Sequence, residues 1–142
     1  MWASLKKMTE KMVTWTRIEA RVGAGIPDIN GAMESGEFWI ESKVCKTKKY
    51  KTEGLWRSSQ VAWQFSRSKV YPNVWNVVSH PSDAKLYVYS CDQVLDLNDP
   101  EAVPPVPCLV MTYPVDWNLI INLVSETLSK IGTDMDNECA DA

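Results

Sequence analysis

Gly25-Ile26-Pro27-Asp28-Ile29 and, beyond a turn, Phe38-Trp39-Ile40-Glu41-Ser42-Lys43 form the stretch around which this chain is organised. Asp28 and Glu41 are thirteen positions apart with Gly31 and Gly36 between them, a spacing that predicts two neighbouring antiparallel strands joined by a turn. Side chains alternate along a strand, so Trp39, Glu41 and Lys43 share one face while Phe38, Ile40, Ser42 and Val44 take the other. Glu41 and Lys43 then sit side by side, with Asp28 in reach from the adjacent strand. Two carboxylates at short range hold a hard divalent cation such as Mg²⁺. An ammonium beside them orients water or offsets charge on a phosphate under attack. The competing reading is an edge hairpin on which Glu41 and Lys43 form a solvated ladder.

Pro27-Asp28 followed by Glu41-Ser42-Lys43 resembles the PD-(D/E)xK nuclease motif. The wider context is Arg21-x-Gly23-x-Gly25-Ile26-Pro27-Asp28, then Glu41-x-Lys43, then Gln60 at the start of a helix. It is most similar to the VRR-NUC and phage-type Holliday-junction resolvase branch, over roughly residues 17–90. The resemblance implies a restriction-endonuclease-like fold and a metal-dependent DNA endonuclease. It implies catalytic roles for Asp28, Glu41, Lys43 and Gln60. Mg²⁺ or Mn²⁺ would be held by Asp28, Glu41 and the backbone carbonyl of Ser42, with Glu10 as a further metal-proximal carboxylate on the first helix. Arg21 matches the arginine that the family pattern puts shortly before Gly-x-Pro-Asp, and its expected role is phosphate contact. The implied partner is DNA, bound by a homodimer.

With 142 residues the chain is long enough for one domain with a sizeable core. We read a single domain over 1–132 and an acidic, disordered tail over 133–142. No apolar run approaches a membrane span, and Met1-Trp2-Ala3-Ser4-Leu5-Lys6-Lys7 lacks the apolar segment of a signal peptide. Cys45, Cys91, Cys108 and Cys139 are scattered, with neither CxxC spacing nor a nearby histidine, which argues against zinc and a disulfide framework. The expected location is the cytoplasm.

The net charge of −3 argues against a nucleic-acid partner, but its distribution does not. Residues 43–69 hold eight Lys or Arg against Glu53 alone; residues 92–142 hold ten Asp or Glu against Lys130 alone. The basic half adjoins Glu41 and Lys43, and its Lys46, Lys48, Lys49, Lys51, Arg57 and Arg67 are the candidate phosphate contacts, joined by Arg21. Interleaved Tyr50 and Trp56 are candidates to stack on a base or sugar.

Elsewhere, Leu5, Met8 and Met12 recur at helical spacing and predict a helix over 3–13 with both methionines in the core. Residues 15–22 alternate as a strand. A helix over 59–70, capped by Ser58 or Ser59, is expected to bury Val61, Ala62 and Phe65 and to turn Gln60, Gln64 and Arg67 to a separate polar face. Residues 74–79 and 85–90 predict a hairpin with His80 at its surface turn. Residues 98–107 are proline-rich loop, 108–113 a short strand, and Asp116 caps an apolar-striped helix ending before Gly132. The sum is an α/β (α+β) fold, a mixed central β-sheet flanked by helices. Two other functions fit the sequence: a non-catalytic nucleic-acid-binding module on a nuclease fold, or a regulatory domain using the 117–131 helix as its partner surface.

Overall fold

The computed structural model describes residues 2–18 and 25–140, with side chains through residue 134. Six strands among them form one sheet: β1 (Thr14–Arg17), β2 (Ile29–Met33), β3 (Gly36–Val44), β4 (Val74–His80), β5 (Lys85–Ser90) and β6 (Leu109–Thr112), in sequence order across the sheet. All neighbours are antiparallel except β3 and β4, which are parallel. A parallel pair needs a long crossover, and the segment between them supplies it through helix α2 (Ser58–Ser68). Helices α1 (Trp2–Thr9) and α4 (Trp117–Ala140) pack on one face; α2 and the short α3 (Val94–Leu97) pack on the other. The fold is thus the mixed α/β architecture that the order of elements predicts.

Strand alternation sorts the two faces. Phe38 and Ile40, Trp75 and Val77, and Leu86 and Val88 point to the α1/α4 side and meet Leu5, Trp117, Ile120, Ile121, Val124 and Leu128. Each such buried side chain stabilises the fold by roughly 2 kcal/mol relative to exposure. The stripe of α4 expected as a partner surface is therefore packed into the core. Asp116 caps the helix as expected, accepting the Asn118 N–H at 3.1 Å. Gly132 does not end it: α4 continues to Ala140. One interior glycine costs only about 1 kcal/mol, too little to stop a helix of this length, so no break falls at 132.

Two other expectations need correction. Helix α1 stops at Thr9, and it buries Leu5 and Thr9, while Met8 and Met12 stay about half exposed. Thr9 is held instead by its hydroxyl, which donates to the Leu5 carbonyl at 2.7 Å and accepts the Trp15 Nε1–H at 2.9 Å. Strand β1 ends at Arg17. Glu19, Arg21 and Gly23, on which part of the sequence reading rests, lie outside the described residues.

Candidate active site

The face of β3 turned away from α4 carries Trp39, Glu41 and Lys43, and the β2–β3 register brings Asp28 to this group. Ile29 pairs with Ile40, so the residue before Ile29 falls opposite Glu41. Asp28 Oδ2 accepts the backbone N–H of Ser42 at 3.1 Å, which pins this carboxylate beside the Glu41–Lys43 strand. Gly25 makes the approach possible. It has φ +71°, and a Cβ there would stand 2.1 Å from the Ser59 carbonyl oxygen at the start of α2. We expect Gly25→Ala to destabilise the protein by roughly 2–4 kcal/mol, left-handed strain and steric overlap adding, as read by urea denaturation.

Helix α2 meets the sheet with the face expected to be solvated. Gln60 and Gln64 are buried, whereas Phe65 and Ala62 are exposed. The reason lies in the strands beneath, which present Glu41 and Lys43 from β3 and Asn73 and Asn76 at β4, and buried polar groups need polar partners. Gln60 is the junction: Nε2 donates to Glu41 Oε1 at 3.1 Å, while Oε1 accepts Lys43 Nζ at 2.8 Å and the Arg57 backbone N–H at 2.9 Å. The last bond makes Gln60 part of the helix cap, with Arg57 rather than Ser58 or Ser59 at the N-cap position. Gln64 and Asn76 exchange two amide bonds of 2.7 Å, and Asn76 Oδ1 also accepts Trp56 Nε1–H at 2.9 Å. Arg67 Nε donates to Asn73 Oδ1 at 3.1 Å.

Glu41 is the electrostatic centre. It is only 2% exposed, Lys43 Nζ lies 3.3 Å from its Oε1, and Oε2 is buried without a hydrogen-bond partner. Burial, then the negative charge of Asp28, pushes its carboxyl up to about 7 against the opposing pull of Lys43 and the Asp28 amide. An acid raised in the folded state binds more protons folded than unfolded. Its contribution is fully present below about pH 4.5 and is lost as pH rises towards about 7. Over that window wild-type stability should fall by about 3 kcal/mol relative to Glu41→Gln, measured as the difference of their urea stability curves at several pH values.

A half-satisfied buried carboxylate beside a second acid fits a cation site, because a cation offsets the charge that burial penalises. The donors here are two carboxylates and nearby backbone. Among the described residues no cluster of three or more His, Cys, Asp or Glu side chains is assembled for a metal. Glu10 does not join: it is exposed in the turn after α1, whose Leu5 packs on the opposite face of the sheet.

The segment that begins two residues past Lys43 carries Lys46, Lys48, Lys49 and Lys51, all exposed. Its aromatic residues are engaged inside the protein and do not offer the stacking surfaces expected. Tyr50 stacks on Tyr87 at 4.0 Å and shares a 2.7 Å hydroxyl bond with Tyr89, and Trp56 is buried. His80 is no surface residue either. It is 2% exposed, with Nε2 2.8 Å from the Thr47 carbonyl and Nδ1 2.9 Å from Asp83 Oδ1, so it ties the lysine segment to the β4–β5 turn. The residues that sequence reasoning missed are Asn73 and Asn76; a lone amide inside the apolar run 74–78 was the available signal for Asn76. No protein-family model and no curated protein matches the chain. None of the helices among the described residues is long and apolar enough to cross a membrane.

Proposed function

We propose that this chain is a metal-dependent endonuclease of the PD-(D/E)xK type that hydrolyses phosphodiester bonds in DNA. The observation that carries this reading is the convergence of Asp28, Glu41, Lys43 and Gln60 from three separate segments around a buried, unpartnered carboxylate oxygen. Asp28 and Glu41 would hold Mg²⁺ or Mn²⁺, with the Ser42 carbonyl as a further oxygen. When bound, the cation supplies Lewis acidity and lowers the pKa of water. Lys43 offsets the negative charge on the phosphoryl oxygens as water adds to phosphorus and one P–O ester bond breaks, its electron pair leaving on the ester oxygen. Gln60 fixes the Lys43 ammonium and the Glu41 carboxylate relative to each other. Lys46, Lys48, Lys49 and Lys51, with Arg57, would carry the flanking phosphates.

The test is incubation of labelled four-way junction, flap, single-stranded and linear duplex DNA with the protein in Mg²⁺, Mn²⁺ or EDTA. Cutting in either metal and none in EDTA is expected, and the preferred substrate names the job; a four-way junction cut by a homodimer would be the resolvase version. No cutting of any substrate would overturn the reading in favour of a binding module.

A further inference from the structure

We propose that the outer face of α2 binds an unpaired DNA strand next to the carboxylate site. Ser59, Ala62, Trp63, Ser66 and Arg67 follow the spacing of one helical face and, with Tyr71 beyond the helix, line an open groove of about 620 Å³. From Ser59 to Arg67 this face rises about 12 Å, room for a short run of nucleotides. At one end Ser59 precedes Gln60 in the chain, so a strand lying here runs beside the turn of α2 that carries Gln60 to the site. This inference rests on the nuclease reading for its substrate, not for its chemistry of recognition.

That recognition is built from aromatic and cationic groups. The Arg67 guanidinium lies 5.1 Å over the Trp63 ring, and Trp63 packs edge-on against Trp39 at 5.8 Å. Trp39 precedes Glu41 by two positions on the same face of β3, which ties the aromatic pair to the strand that carries the carboxylate. Lys69 stands 4.2 Å over the exposed Phe65 ring. The acid facing Arg67 is Glu37, at 3.8 Å. A base has a π-face for such a layered indole–guanidinium platform only when it is unpaired; in a duplex its faces are already stacked. The adjacent Arg67 and Lys69 suit the strand's phosphates.

Anisotropy of fluorescein-labelled oligo(dT) and of a duplex of equal length, both in EDTA, tests the groove without any cleavage. Wild type should bind oligo(dT), with affinity falling as salt rises. Trp63→Ala should weaken oligo(dT) about tenfold or more and leave the duplex within about twofold, and Trp63→Phe should recover most of the loss. Ser66→Glu, on the exposed face, should weaken oligo(dT) similarly without touching the core. Wild type that ignores oligo(dT), or oligo(dT) affinity unchanged in both Trp63→Ala and Ser66→Glu, overturns the inference. Trp63-dependent binding by a protein that cuts nothing would retain the groove and overturn the nuclease reading; metal-dependent cutting with no Trp63 effect on binding would do the reverse.

Discussion

Glu41→Gln should cut DNA about 10²–10³-fold more slowly than wild type in Mg²⁺, with DNA affinity within about threefold. The amide keeps the shape of the side chain and its oxygen for Gln60, and removes only the charge that would hold a cation. The same charge governs two further readouts. Mg²⁺ should raise the thermal midpoint of wild type, since a ligand that binds only the folded state stabilises it, and should leave Glu41→Gln unmoved. Cleavage by wild type should climb with pH towards about 7, because a proton on Glu41 and a cation at Glu41 exclude one another. Wild-type cutting by Glu41→Gln would place the chemistry elsewhere.

The second large effect is structural. Asn76→Leu should destabilise the protein by roughly 2–5 kcal/mol in urea denaturation, far more than its similar volume would imply. The substitution removes the acceptor of Trp56 Nε1–H and both partners of the Gln64 amide, all of them buried. Each orphaned group costs about 1–3 kcal/mol. Pairing Asn76→Leu with Gln64→Leu should recover part of the loss, because the second change removes an orphan in place of creating one. A loss in the double variant equal to the sum of the two single losses would mean that the pair is not coupled.

Much of the site was legible because it depends on two simple periodicities. A period of two put Glu41 and Lys43 on one face, and hairpin spacing put Asp28 opposite them; both hold in the structure. The expectation for Gln60 came from the resemblance, and in the structure its amide meets Glu41 and Lys43. Helix α2 was misread because the pattern rule turns the apolar stripe inward, whereas here the strands below are themselves polar on that face. Burial is decided by the surface a helix meets, not by the helix alone. His80, at a predicted turn, is buried for the same reason: its polar atoms find the Thr47 carbonyl and Asp83. The short α3 was illegible, since four residues carry no period.

The amide contacts under α2 also bear on how freely it can slide. A helix held by apolar contacts alone can shift along a sheet at modest cost, because dispersion and desolvation have little directionality. Amide pairs have one donor–acceptor match and a narrow angular range. With Gln60, Gln64 and Arg67 each engaged at successive turns, α2 has a single seat on the sheet, and any displacement would break all three sets of bonds together. The same lock sets where Lys43 Nζ rests, so the placement of this ammonium is gauged against Asn76 and Asn73, which α2 meets one and two helical turns along from Gln60.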